Sequence, residues 1–240
     1  MNFGDSDCIL INTAGRIILV DTSFYTSFST INKILQNYDK IDALILTHFD
    51  YDHVGSATKL INTKKIKRAY IPKNVPKSAN SKYKSIYNTL KNNNTDIIKV
   101  KSSCFLKFGN TTITILPPKS DFYFFDNSNN SSLVLVVKHF NNSVFLAADI
   151  CEDRANEMLE SNEIEHYNIL KVPHHGINFK NSEELYTKIK PEVSVITCSS
   201  FRHLRIVKDN SLKNCGNLYF TDTGSVILQM YKNGYSVNQL

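Results

Sequence analysis

Within six positions the chain carries two histidines and two aspartates, in the run Thr47-His48-Phe49-Asp50-Tyr51-Asp52-His53-Val54-Gly55. Neutral imidazole and ionised carboxylate are the common protein donors to divalent metal ions. The residues between them are aromatic, so the ligand-type side chains project separately from the apolar ones. The run follows an apolar, strand-like stretch at 41–46, and a tight loop after a strand can aim several side chains at one point. A polar surface turn rich in His and Asp is the simpler alternative, but the type and density of donors favour a metal site.

Three further places carry residues of the same kind. Asp149 ends the apolar run 144–148. A carboxylate at the end of a buried strand is costly unless it is paired or bound to metal; the alternative is an N-cap for a helix over 153–159. His174 and His175 end a strand predicted over 167–172 and precede Gly176. Successive side chains of an extended chain point to opposite sides, so one of the pair is expected to ligate and the other to contact substrate or act as a general acid. His175 is taken as the ligand and His174 as the catalytic residue. His203 taken alone reads as a surface histidine. Arg202 and Arg205 flank it and are candidates for holding a phosphate, whose oxygens match a guanidinium fork; solvation at the surface is the equal alternative.

Together these stretches resemble the metallo-β-lactamase superfamily, whose signature is written His-x-His-x-Asp-His. Asp50 stands where many members carry a second histidine. That variant, with Asn129-Asn130-Ser131-Ser132-Leu133-Val134-Leu135 and Leu170-Lys171-Val172-Pro173-His174-His175-Gly176, resembles the branch containing the hydrolase domain of ComEC-type DNA-uptake proteins and the phosphorylcholine esterases. Gly4-Asp5-Ser6-Asp7-Cys8-Ile9 is similar to the family's opening and Thr221-Asp222-Thr223-Gly224 to its close. The departures are Ser6 for a glycine, Ala148 for a glycine, and Arg202 and Leu204 for the glycine and proline around the last histidine.

The resemblance implies an α/β fold, a four-layer αβ/βα sandwich with the site at one edge between two sheets. It implies two divalent ions, zinc or manganese. His48, Asp50 and one of His174 or His175 would hold one ion; Asp52, His53 and His203 would hold the other; Asp149 would bridge them. Such a pair, about 4 Å apart, shares a hydroxide as nucleophile, and Asp52 joins His174 in the catalytic set. Asp50 enriches the first site in oxygen donors, which tilts it towards manganese, iron or a mixed pair. The implied reaction is hydrolysis of a phosphodiester, DNA or RNA first, with a cyclic nucleotide or phosphorylcholine ester as the alternative. A metal-binding protein that acts by interaction alone is the reading from a different class.

The remaining observations bound this picture. A chain of 240 residues with 42% hydrophobic residues is expected to form a single domain over 1–240. The formal charge of +6 permits a nucleic-acid partner without requiring one. Five scattered cysteines with no Cys-x-x-Cys pair suggest free thiols in a reducing compartment. With no apolar run long enough for a membrane and no basic-then-apolar N-terminus, a cytoplasmic protein off the membrane is expected. Asp7 and Asp21 are read equally as orienters of the metal loop or as turn residues. A helix is expected just beyond Gly55. Another, at 83–90, is read as a solvated helix with Tyr83 and Tyr87 packed inward, in preference to a substrate flap. A serine-capped helix is expected at 182–189.

Overall fold

In the computed structural model, which describes residues 1–210 and 212–240, β1 (Ile9–Thr13) and β2 (Arg16–Val20) form a hairpin. Then come α1 (Phe28–Ile34), β3 (Lys40–Ile41), β4 (Ala43–Ile45), α2 (Tyr51–Val54), α3 (Ala57–Thr63), β5 (Lys65–Ile66), β6 (Arg68–Pro72), α4 (Asn80–Asn92) and β7 (Asp96–Val100). The second half runs β8 (Cys104–Phe108), β9 (Thr111–Leu116), α5 (Asn127–Asn130), β10 (Val134–His139), β11 (Asn142–Leu146), α6 (Glu152–Glu160) and β12 (Ile169–Lys171). It closes with α7 (Ser182–Ile189), β13 (Val193–Ile196), α8 (Ser200–Asp209), β14 (Asn217–Phe220), β15 (Val226–Tyr231) and β16 (Gly234–Gln239).

The strands form two main sheets, a five-stranded one in the order β1-β2-β4-β6-β7 and a seven-stranded one in the order β14-β13-β12-β11-β10-β9-β8. The layering follows from residue alternation, because successive side chains of a strand face opposite ways. In β2, Ile17 and Leu19 join a core with Ile31, Leu60 and Ile86 from the helices α1, α3 and α4. Their neighbours Ile18 and Val20 join a core between the sheets, with Leu135, Val137 and Leu146. In β10 the alternate residues Val134 and Val136 pack against Met158, Leu185 and Ile206 of α6, α7 and α8. Three apolar cores therefore separate four layers, helix, sheet, sheet and helix, as expected. The hairpin β15–β16 packs Leu228, Met230 and Val237 against the inter-sheet core.

The turn between β10 and β11 is Phe140-Asn141, with Phe140 in the left-handed region. Asn181 rather than Ser182 occupies the N-cap of α7. Tyr83 and Tyr87 of α4 pack inward, Tyr83 edge-on to Phe49 with ring centres 5.3 Å apart, so this helix is a packed layer and no flap. All five cysteines are free. Among the described residues no helix is long and apolar enough to cross a membrane.

Candidate metal centre

The site lies where the parallel strands β2, β4, β11, β12 and β13 end. Parallel strands leave their loops together at one edge, and here the ligand-type residues follow strand ends. Strand β4 runs out at Ile45, and Asp50 occupies the N-cap position of α2, so Asp52 and His53 sit on one helical turn. The helix expected beyond the ligands is α3; the ligands themselves start a shorter one. Asp149 follows β11, with Ala148 at φ 51° where the family's glycine would stand. The N-cap of α6 is Cys151, not Asp149, which leaves the Asp149 carboxylate free to face inward. The turn after β12 holds both His174 (φ 48°) and His175 (φ 54°) in the left-handed region.

Asp52, His53, Asp149 and His175 bring one donor atom each to within 4.8 Å of the others. Asp149 is central: its Oδ2 lies 3.1 Å from His53 Nε2 and 3.2 Å from His175 Nε2. His175 Nε2 is also 3.3 Å from Asp52 Oδ2. His48 stacks obliquely beside His53, ring centres 4.1 Å apart, and its Nε2 stands 3.8 Å from Asp50 Oδ2. The expected grouping is thus revised. His175 clusters with Asp52, His53 and Asp149, while His48 and Asp50 form the adjoining pair.

The opposite edge of each imidazole is fixed. Asp21 Oδ2 accepts from His53 Nδ1 at 2.8 Å, and the same carboxylate accepts from the Thr47 amide at 2.8 Å and the Thr47 hydroxyl at 2.7 Å. Thr47 Oγ1, its proton committed to Asp21, accepts from His48 Nδ1 at 3.1 Å. His175 Nδ1 donates to the Thr197 carbonyl at 2.8 Å. In their neutral, metal-binding form all three rings therefore carry the proton on Nδ1 and direct Nε2 inward. Those three Nε2 atoms are buried and, among the described residues, have no aligned hydrogen-bond partner. Buried polar atoms are rarely left so, and three convergent imidazole lone pairs beside two carboxylates fit divalent metal. Thr47 and Thr197 escaped the sequence reading; a threonine beside a strand end gives no signal of its own.

Lys171 is the other residue that escaped it. It is buried, pairs with Asp7 Oδ2 and stands 3.5 Å from Asp149 Oδ1. Thr197 Oγ1 donates to the other Asp7 oxygen at 2.6 Å. Asp7 and Asp21 thus orient the site from behind, which decides their open reading. Burial alone would raise the Asp149 carboxyl, but the cationic faces of His175, His53 and Lys171 hold it well below the usual range. Asp52 is likewise held down, to about 2, against burial and chiefly by His175 close beside it. Burial lowers His175, yet Asp149 and Asp52 raise it to about 9, and Asp149 and Asp21 raise His53 well above its ordinary value against the same burial. His48 moves down, through burial and then the neighbouring His53. These opposed shifts mark a site whose carboxylates need positive charge at close range.

Other expected residues lie apart. His174 turns away from the cluster, with Nδ1 3.1 Å from Cys151 Sγ. His203 sits on α8, not in a loop; its Nδ1 donates to Asp222 at 3.0 Å and its ring stacks on Phe220. It is not brought into the four-residue cluster. Arg202 is engaged by Asp5 at 3.1 Å, because Asp5 also accepts the Ser199 amide and so ties the start of α8 to the N-terminal segment. Arg205 is exposed on the same helix. Asp50 accepts from Ser128 at 2.6 Å.

The family model of the metallo-β-lactamase superfamily matches residues 1–199. The chain belongs to that superfamily. Its ComEC-type character is supported by 28% identity to "ComE operon protein 3" of Bacillus subtilis (strain 168), over 94% of this chain and 30% of that protein. The chain thus spans about a third of the length of the curated relative it matches. Among solved structures, the metallo-β-lactamase fold protein YhfI from Bacillus subtilis aligns with TM-score 0.57 at 14% identity, over 90% of this chain and 88% of that one. CmlA, a diiron β-hydroxylase from Streptomyces venezuelae, aligns with TM-score 0.55 at 12% identity, over 97% of this chain and 52% of that one. At such identities these two likenesses show the fold.

Proposed function

We propose that the chain is a metal-dependent phosphodiesterase acting on nucleic acid. The observation that carries the hydrolytic reading is the set of three buried imidazole Nε2 atoms, without aligned hydrogen bonds among the described residues, converging with Asp52 and Asp149. His48, Asp50, Asp52, His53, Asp149 and His175 would hold two divalent ions. His203 would add a ligand only through Nε2, the nitrogen that Asp222 leaves free. Bound divalent ions supply Lewis acidity and a nucleophile at neutral pH.

The chain's own residues do the rest. Asp21, Thr47 and Thr197 keep the imidazole rings in one tautomer and orientation. Lys171, paired with Asp7, stands beside Asp149 and offsets part of the negative charge of Asp7 and Asp149. The rim suits a single strand: Tyr51 is half exposed between two ligand positions, and Phe122, Phe124 and Phe125 stand out to solvent, Phe124 at 82%. Bases of any sequence stack on such rings. A net charge of +6 favours approach of a polyanion, and the ComEC-type resemblance supports DNA as the first substrate to try.

The test is a substrate panel with protein purified without chelator: bis(p-nitrophenyl) phosphate, single-stranded DNA and double-stranded DNA, each with added manganese or zinc, beside Asp52→Ala. Metal-dependent DNA cleavage lost in the variant is the expected result. Turnover of the small diester alone would move the substrate to a small molecule, and no turnover of any would overturn the reading.

A further inference from the structure

A second cluster of ligand-type residues adjoins the first and differs from it chemically. Cys151 Sγ lies 3.1 Å from His174 Nδ1 and 3.4 Å from Asp126 Oδ2, and one donor atom from each of the three falls within 4.8 Å of the others. We infer that Asp126, Cys151 and His174 form a separate site for a zinc-type divalent cation, outside the set of imidazoles and carboxylates described above.

The arrangement has the dimensions for it. With Zn–S near 2.3 Å and Zn–N or Zn–O near 2.0 Å, tetrahedral geometry puts a nitrogen or oxygen donor about 3.5 Å from the sulfur. The two separations to Cys151 are 3.1 and 3.4 Å, so side-chain adjustment must supply at most a few tenths of an ångström. Each donor comes from a different element and is pinned there. Asp126 precedes α5 and receives Asn129 Nδ2 on both oxygens, at 3.1 and 3.0 Å. Cys151 is the N-cap of α6, its amide donating to Asn130 Oδ1 at 2.9 Å. His174 takes its direction from the left-handed turn after β12. Three protein donors leave a fourth position open, the pattern of zinc sites that exchange a ligand.

Sulfur sets the selectivity. The cluster around Asp149 offers only nitrogen and oxygen, which manganese accepts; a thiolate favours zinc over manganese. On binding, the Cys151 S–H bond breaks, its proton passes to solvent and the sulfur lone pair goes to the metal. His174 must ligate through Nδ1 and carry its proton on Nε2.

Cobalt(II) alone, titrated into the chelator-treated full chain, is the probe. A thiolate ligand gives a near-ultraviolet charge-transfer band that nitrogen and oxygen ligands do not. Among the described residues no other cysteine shares a cluster with histidine or acid, so the band reports this site independently of hydrolysis at the other. The expected result is a saturable band that is abolished in Cys151→Ser, weakened at least about tenfold in apparent affinity in Asp126→Asn, and retained in Cys104→Ser. Asp126→Asn keeps the thiol, so the test stands even if Cys151→Ser folds poorly. Cobalt bound without a charge-transfer band, a band that survives in Cys151→Ser, or affinity unchanged in Asp126→Asn would each overturn the site.

Discussion

Asp21 accepts three hydrogen bonds yet touches no substrate-facing atom; its work is to hold His53 and Thr47. Asp21→Ala should weaken metal binding by about 10- to 100-fold, measured by competition with a chromophoric chelator. Lys171 is buried between Asp7 and Asp149. Lys171→Met should destabilise the metal-free protein by roughly 3–5 kcal/mol, because it leaves buried carboxylates uncompensated, and by less once metal is returned; paired denaturant titrations would show whether the difference exists. The same residues predict a pH dependence. Metal must displace protons from His175, raised to about 9, and from His53, also raised, so apparent affinity should climb from pH 6 to about pH 9 with proton release on binding. In the metal-free protein the raised His175 contributes stability that is full below about 6.5 and lost as pH rises through about 9. Asp52, lowered to about 2, contributes stability present above about 3.8 and lost as pH falls through about 2. Calorimetric titration at several pH values checks the first statement and urea denaturation the second.

At the scale of elements, the positions of the ligands depend on a few tight approaches. A Cβ on Gly55 would lie 2.5 Å from the Tyr25 amide nitrogen and 2.7 Å from the Phe24 carbonyl carbon. Both are backbone, which cannot step aside, so Gly55→Ala should push α2 off its support. A cost of about 1–3 kcal/mol is expected, seen as a lower Tm with reduced metal occupancy. This scale also shows what the sequence made legible. The His-Asp run, Asp149 and the His174–His175 pair were readable because each donor type is rare at a strand end and the chemistry demands several at once. Lys171, Thr47 and Thr197 were not, since their role exists only when strands distant in sequence lie side by side. Which member of the His174–His175 pair turns inward was decided by two left-handed residues that no spacing reveals. The four layers were implied by the family resemblance; β2 and β10 are continuous apolar runs, buried on both faces, so no polar alternation in them tells one layer from the next. The placement of His203 on a helix facing Asp222 was not readable, because the residues 199–204 carry no strong helix signal.

For the molecule as a whole, two sheets and two helical layers bring loops from both halves of the chain to one edge, and the segment that carries Phe124 and Phe125 is tied to it by the Ser128–Asp50 hydrogen bond. Phe124→Ser combined with Phe125→Ser should weaken single-stranded DNA binding by about 1–3 kcal/mol per stacked base while leaving bis(p-nitrophenyl) phosphate turnover unchanged; fluorescence anisotropy beside the diester assay separates the two effects. The central claim is that the buried histidine and carboxylate cluster is a metal centre that hydrolyses phosphodiesters. The most direct measurement is hydrolysis of bis(p-nitrophenyl) phosphate by one sample as isolated, after chelation, and after manganese or zinc is returned, with bound metal counted at each stage and Asp149→Asn alongside. The account predicts activity that disappears with the metal, returns with it, and is absent throughout in Asp149→Asn. Activity that survives full removal of metal, or a chain that binds no divalent ion at all, would contradict it.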